Sequence, residues 1–263
     1  MARIAVAASA PFGAAVLERL ADRHDVVQLL TRPDQPRGRG RRVGATPAKD
    51  VAERLAIPVT QPERLDGSVE LDADTVVVCA YGLLIPNGLL ERALWLNVHP
   101  SLLPRWRGAA PVERALMAGD EETGVTIHRT VEALDAGPIA AQRAFPILPD
   151  DDAGALYARA ADIAAVLLDS VLVQADPVFE AQAEDGVTYA EKIRPEDREL
   201  DPEAPASELV NRVRALSPHI GARFGDLIVW RARVAEDGSF EPVEVQPAGG
   251  RRMDYDAYLR GRR

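Results

Sequence analysis

The sequence predicts an α/β protein built on a largely parallel sheet, with a smaller β-rich module behind it. Three observations carry this. Short apolar runs such as Arg3–Ala8 and Thr75–Ala80 recur between stretches with helical caps and periodicity, the alternation that parallel sheets produce. The run Ala93–Val98 is nearly all apolar, as a strand buried on both faces must be. After about Asp176 the alternation stops, and Leu227–Val234 and Glu241–Gln246 read as strands of a different module. The chain is thus read as a Rossmann-like, doubly wound domain over 1–176, a linker over 177–187, and a small domain over 188–263.

Each element has its own signal. Arg3–Ala8 is the first strand, Ser9-Ala10-Pro11 the loop after it, and a helix follows to about Leu20. Val26–Thr31 is the second strand. Thr46 is placed as the N-cap of a helix reaching Leu55, with Pro47 in its first turn. A threonine hydroxyl accepts an orphan backbone N–H there, and proline lacks the donor that a first turn leaves unpaired. Val59-Thr60-Gln61 is a short strand, Thr75–Ala80 a central one and Leu94–Val98 another. Ala109–Ala118 and Ala153–Val173 read as helices, Pro177–Gly186 as a connector, and Ala206–Leu216 as an amphipathic helix. The first turn lacks G-x-G-x-x-G and no Walker sequence occurs, so a nucleotide cofactor has no support.

Composition narrows the function classes. With 263 residues, 47% hydrophobic and 27% charged, the chain suits a soluble globular protein with an ample core. The longest uncharged N-terminal run, Ile4–Leu17, has 14 residues and contains Pro11 and Gly13. It is too short for a membrane span and lacks a signal-peptide pattern, so a cytoplasmic location is expected. The single cysteine, Cys79, sits in an apolar run and reads as a core thiol. One cysteine and four scattered histidines predict no metal cluster. The net charge of −10 opposes general affinity for polyanions, but the charge is unevenly spread. Arg32, Arg37, Arg39, Arg41, Arg42 and Lys49 face only Asp34 within their stretch, and five arginines crowd the segment 251–263. Two basic patches on an acidic body point to a localised polyanion contact.

The chemistry gathers at the end of one strand. Side chains two apart on a strand project to the same side, so Asn97 and His99 face together. A Pro- and Gly-rich loop follows, and open α/β sheets bind ligands at such strand ends. An imidazole with a pKa near ~6.5 exchanges protons around neutrality. A preorganised amide N–H facing a developing oxyanion is worth roughly 3–4 kcal/mol. With Asp135 of Leu134-Asp135-Ala136-Gly137, these groups suit the transfer of one small acyl group. Ser101, Arg105 and Arg107 are read either as substrate contacts or as residues that fix the loop. His128 reads as a structural strand residue, because nothing pairs it with the Asn97–His99 end. His24 and His219 lie in turn-like contexts and carry no signal.

The stretch Asn97–Pro111, with its Ser-Leu-Leu-Pro-x-x-x-Gly and the downstream Leu-Asp-x-Gly, resembles the folate-dependent formyltransferases. Its longer form resembles the branch that acts on methionyl-tRNA. The resemblance implies 10-formyltetrahydrofolate as donor and the amino group of initiator methionyl-tRNA as acceptor, in translation initiation, with no metal. It implies Asn97, His99 and Asp135 as catalytic residues, Asp135 orienting the imidazole and favouring its charged form. Ala80-Tyr81-Gly82-Leu83-Leu84-Ile85-Pro86 resembles the segment beside the pterin, so Tyr81, Gly82 and Leu83 are assigned to the donor, together with Ser101, Leu102, Leu103 and Pro104. Thr31–Gly40 resembles the loop that contacts tRNA, which implies that role for Arg37, Arg39, Arg41, Arg42 and Lys49.

The resemblance extends to Thr188–Ile193 and to Val245-Gln246-Pro247 through Arg251-Arg252-Met253. The module between them is short where the family carries an OB-like barrel, so a reduced OB-like domain is expected. Val131 replaces the first acid of the family's Asp-x-Gly-Leu-Asp-Thr-Gly-Asp pattern, and Ala8-Ser9-Ala10 replaces Gly-Thr-Pro. Thr126-Ile127-His128-Arg129 with Asp135-Ala136-Gly137 also resembles formyltransferases of amino sugars, which makes those the alternative. A non-catalytic RNA-binding relative is the third reading, opposed by the intact Asn97, His99 and Asp135. The basic loop favours tRNA, since a free sugar nucleotide does not need six positive charges.

Overall fold

Five consecutive residues of β1 (Arg3–Ala8), from Ile4 to Ala8, are buried, so both faces of this strand are covered. The computed structural model describes residues 1–37 and 42–261. After β1 come α1 (Pro11–Ala21), β2 (Asp25–Leu30), the hairpin β3 (Gln35–Arg37) and β4 (Arg42–Gly44), α2 (Pro47–Arg54), β5 (Val59–Thr60) and β6 (Thr75–Cys79). Next are α3 (Asn87–Leu90), β7 (Leu94–His99), β8 (Arg107–Gly108), α4 (Pro111–Ala118), β9 (Glu122–Arg129), β10 (Ile139–Pro146) and α5 (Ala153–Leu172). The chain ends with β11 (Tyr189–Ala190), α6 (Ala206–Leu216), β12 (Ala222–Phe224), β13 (Leu227–Val234), β14 (Phe240–Pro247), β15 (Met253–Asp254) and α7 (Tyr255–Arg260).

Two compact units result: residues 1–107, 124–144 and 158–187 form the first, and 108–123, 145–157 and 188–263 the second. One boundary between the units lies at 187/188. The second unit also takes in 108–123 and 145–157, which the sequence placed in the 1–176 domain. Met117 of α4 explains part of this, because it packs onto the cluster of Leu209, Val213, Leu216, Val229 and Val245. The expected linker belongs to the first unit. Glu180 and Ile139 exchange two backbone hydrogen bonds, at 2.7 and 2.9 Å, which tie the segment down.

The first unit carries a seven-stranded sheet in the order β10-β9-β7-β6-β1-β2-β5. The five strands from β7 to β5 run parallel, and β9 runs antiparallel to β7. Small residues let α1 seat closely. A Cβ at Gly13 would collide with the Cys79 carbonyl and lie 2.8 Å from the Ala8 Cβ. Thr46 caps α2 by accepting from the Lys49 backbone N–H at 3.1 Å, with Pro47 in the first turn. Cys79 is fully buried, and burial pushes its thiol pKa up, as suits a core residue.

The second unit holds a four-stranded antiparallel sheet, β12-β13-β14-β15, with α6 packed on it. Its β15 is only two residues long, consistent with the shortness of this module. Among the described residues, no helix is long and apolar enough to cross a membrane.

Candidate active site

Strand β7 ends in Leu-Asn-Val-His, and its period of two sends Asn97 and His99 to one side. The antiparallel neighbour β9 adds a third polar residue. Register places Asn97 opposite His128 and His99 opposite Thr126, and residues directly opposite share a face. Asn97 Nδ2 lies 3.0 Å from His128 Nε2. The His99 and His128 rings meet edge to face, with centroids 6.3 Å apart. His128 is thus part of the cluster, contrary to the expectation that it stands apart. The signal that could have found it is the ladder itself: an antiparallel strand beside β7 puts one of its residues opposite Asn97.

Asp135 reaches the cluster from the loop between β9 and β10. Its Oδ1 accepts from Asn97 Nδ2 at 3.1 Å, and its Oδ2 lies 3.7 Å from His99 Nδ1. Asp135 adopts φ +46°, a left-handed conformation that non-glycine residues rarely hold. Gly137 allows the loop to close. A Cβ there would collide with the carbonyl of Arg129 at the end of β9.

Hydrogen bonding assigns the tautomers. A carbonyl only accepts, so His99 Nε2 donates to Trp106 O, at 2.8 Å. In the neutral ring Nδ1 then carries the lone pair, and it faces Asp135. His128 Nδ1 donates to Arg129 O at 3.1 Å, which leaves Nε2 to accept from Asn97. Asn97 therefore directs one amide hydrogen to His128 and the other to Asp135. The His99 pKa is lowered from 6.5, chiefly by burial and less by neighbouring His128, against the raising influences of Asp135 and the Trp106 carbonyl. The resting imidazole is neutral at pH 7, ready to accept a proton at Nδ1.

The residues assigned to the donor divide. Ser101 is fully buried, and its hydroxyl donates to the Arg105 carbonyl at 2.7 Å, so it ties its own loop. Leu103 is buried; its N–H donates to Thr126 Oγ1 and its carbonyl accepts from Gln142. Leu102 and Pro104 are half-buried beside it. Tyr81 is buried, and its hydroxyl has no hydrogen-bond partner among the described residues. Gly82 follows at φ +79°, with Leu83 half-buried.

The basic residues also divide. Arg37 and Arg42 are register partners across the β3–β4 hairpin, while Arg39 and Arg41 lie outside the described residues. Lys49 sits in a polar network. Its ammonium donates to Asp34 Oδ2 at 2.7 Å and to Gln61 Oε1 at 2.9 Å, and Gln61 donates in turn to Asp34 Oδ1 and the Arg32 carbonyl. Hydrogen bonding to Asp34 raises its pKa. A lysine in that network braces the base of the hairpin instead of presenting a free charge. Among the described residues, no group of three His, Cys, Asp or Glu side chains is placed to hold a metal ion.

A family model described as formyl transferase matches residues 2–172. The methionyl-tRNA formyltransferase of Halorhodospira halophila is 43% identical, over 90% of this chain and 88% of that protein. Two solved structures are similar in fold. An N-formyltransferase from Helicobacter canadensis, in complex with folinic acid and dTDP-3-aminofucose, matches with a TM-score of 0.70 at 18% identity, over 89% of this chain and 88% of that one. The methionyl-tRNA formyltransferase from Clostridium thermocellum matches with a TM-score of 0.65 at 16% identity, over 94% and 99%.

Proposed function

Since the chain belongs to the formyl transferase family, we propose that it transfers a formyl group from 10-formyltetrahydrofolate to the amino group of initiator methionyl-tRNA. One observation carries the chemistry: a neutral imidazole, His99, is held at Nε2 by the Trp106 carbonyl while Nδ1 faces the Asp135 carboxylate at 3.7 Å. The choice of acceptor is supported by the relative at 43% identity and by the arginines between Arg37 and Arg42.

Formyl transfer between two nitrogens passes through a tetrahedral carbon bearing an oxyanion. An α-amino group has a pKa of about 7.7–8.0, so a useful fraction is already neutral at pH 7 and positioning matters most. As the amine attacks, His99 Nδ1 takes the proton that the nitrogen sheds. The imidazolium so formed lies between the Trp106 carbonyl and the Asp135 carboxylate, both of which stabilise its charge. Nδ1 then returns the proton to the departing nitrogen, which leaves His99 neutral. Asn97 supplies an N–H to the oxyanion by redirecting the hydrogen that Asp135 Oδ1 accepts. Tyr81, whose buried hydroxyl has no partner among the described residues, and the bare backbone at Gly82 suit a flat heteroaromatic group with donors and acceptors on its rim.

The test is an acceptor screen with 10-formyltetrahydrofolate, comparing methionyl-tRNA, free methionine and nucleotide-linked amino sugars. Formylation of methionyl-tRNA at least a hundredfold faster than of the others is expected. Preferential formylation of an amino sugar would overturn the acceptor assignment.

A further inference from the structure

The carboxylate of Asp135 has no regular element beneath it. It stands on a loop, in a left-handed conformation, and something must hold it against His99. The chain supplies that support from 177–187. Glu180 and Ile139 form a two-bond antiparallel bridge, and two residues along one strand lie opposite two back along the other. Gln182 therefore falls opposite Gly137.

Its amide is fully used. Gln182 Nε2 donates to the carbonyls of Asp135 and Gly137, both at 2.8 Å. Its Oε1 accepts from Arg107 Nε at 3.0 Å and Nη2 at 2.6 Å. An amide offers two hydrogens and two lone pairs, so all four positions are filled. Arg107 directly follows Trp106, whose carbonyl holds His99 Nε2 and whose φ is +65°. One side chain thus joins the two strained residues that flank the imidazole, Trp106 at one nitrogen and Asp135 at the other. Such conformations persist only where the surroundings over-determine them.

We propose that Gln182 is a positioning residue that, through Arg107 and the Asp135 and Gly137 carbonyls, sets the spacing between the His99 imidazole and the Asp135 carboxylate. It neither titrates nor touches the reacting groups. The inference rests on the reading of His99 and Asp135 as the reacting pair.

Two variants test it in the full-length protein. Gln182→Ala removes every hydrogen bond of the amide. Gln182→Glu keeps an acceptor for Arg107 but takes the donors away from the two carbonyls. Both should lower kcat for methionyl-tRNA about 10- to 100-fold, the scale of a misplaced catalytic group, with KM for either substrate within about threefold of wild type. The His99 titration, followed by NMR, gives a readout that needs no turnover. Asp135 and His128 are the titratable groups facing the ring, and retreat of the carboxylate should move the Gln182→Ala midpoint to lower pH. Variants that only melt earlier, with wild-type kcat and an unmoved His99 midpoint, would overturn the proposal. If the wild type ignores methionyl-tRNA, the acceptor assignment fails, and the Gln182→Ala midpoint still decides: a downshift supports the role, no shift refutes it.

Discussion

His99 and Asp135 approach to 3.7 Å between Nδ1 and Oδ2, too far for a direct hydrogen bond. The usual arrangement of a carboxylate receiving an imidazole N–H is absent from this resting pair, because the only hydrogen of the neutral ring goes to the Trp106 carbonyl. Both facing atoms are therefore proton acceptors. This geometry supports the proposal that a group placed against the two of them gives up its proton here, with Asp135 as the partner of the charged imidazole.

Loss of the reacting groups should be costly in rate and mild in fold. His99→Ala and Asn97→Ala are each expected to reduce turnover by about 10²-fold or more, typical of a missing general base or oxyanion donor. Circular dichroism run beside single-turnover formyl transfer checks both halves. Near-wild-type turnover in the His99 variant would remove it from the mechanism.

Asp135→Asn should lower turnover more than donor binding. The carboxylate raises the His99 pKa while burial lowers it. Its removal therefore shifts that pKa further down, and the acid limb of the rate profile follows to lower pH, with a weaker base and a lower plateau. Folate titration alongside a pH–rate series separates this from a binding role. A plateau equal to wild type with impaired donor affinity would make Asp135 a folate ligand instead.

Lys49 and the arm arginines should behave differently. Replacing Arg39, Arg41 and Arg42 with Ala should weaken tRNA binding and flatten its salt dependence, by about 0.7–0.9 in slope for each phosphate that is no longer neutralised. Lys49→Ala removes a brace already engaged with Asp34 and Gln61, so its slope should stay near wild type even where affinity falls. Binding isotherms at several salt concentrations measure this. An equal flattening in the Lys49 variant would show that its ammonium meets a phosphate directly.

Glu113, in the second unit, should be an acid-dependent stabiliser. Burial raises its pKa above 4.5, against smaller lowering by its backbone, the Tyr157 hydroxyl and Arg114. A raised folded pKa means that the native state favours the protonated form, and stability is lost as pH rises through that pKa. Glu113→Gln should thus gain on the wild type as pH is raised from the acid range to neutrality, seen as a higher melting temperature. Thermal melts across that range decide it; a gap that narrows with rising pH has the wrong sign.

Local periodicity and capping chemistry made much of this protein legible from its residues alone. The buried run of β1, the Thr46 cap with Pro47, and the common direction of Asn97 and His99 depend only on neighbours in the chain, so a strand's period of two or a helix's first turn reveals them. What tertiary structure decided depends on partners distant in sequence. The β7–β9 register brought His128 opposite Asn97, and no local pattern states a register between strands. The Trp106 carbonyl chose the His99 tautomer. Asp34 and Gln61 drew the Lys49 ammonium into a hydrogen-bond network. Gln182 reached back from an expected linker to the Asp135 loop because the Glu180–Ile139 bridge carried it there. Hydrogen bonds between remote segments are settled only when the backbone brings donors and acceptors within about 3 Å of each other, and that distance is a property of the fold.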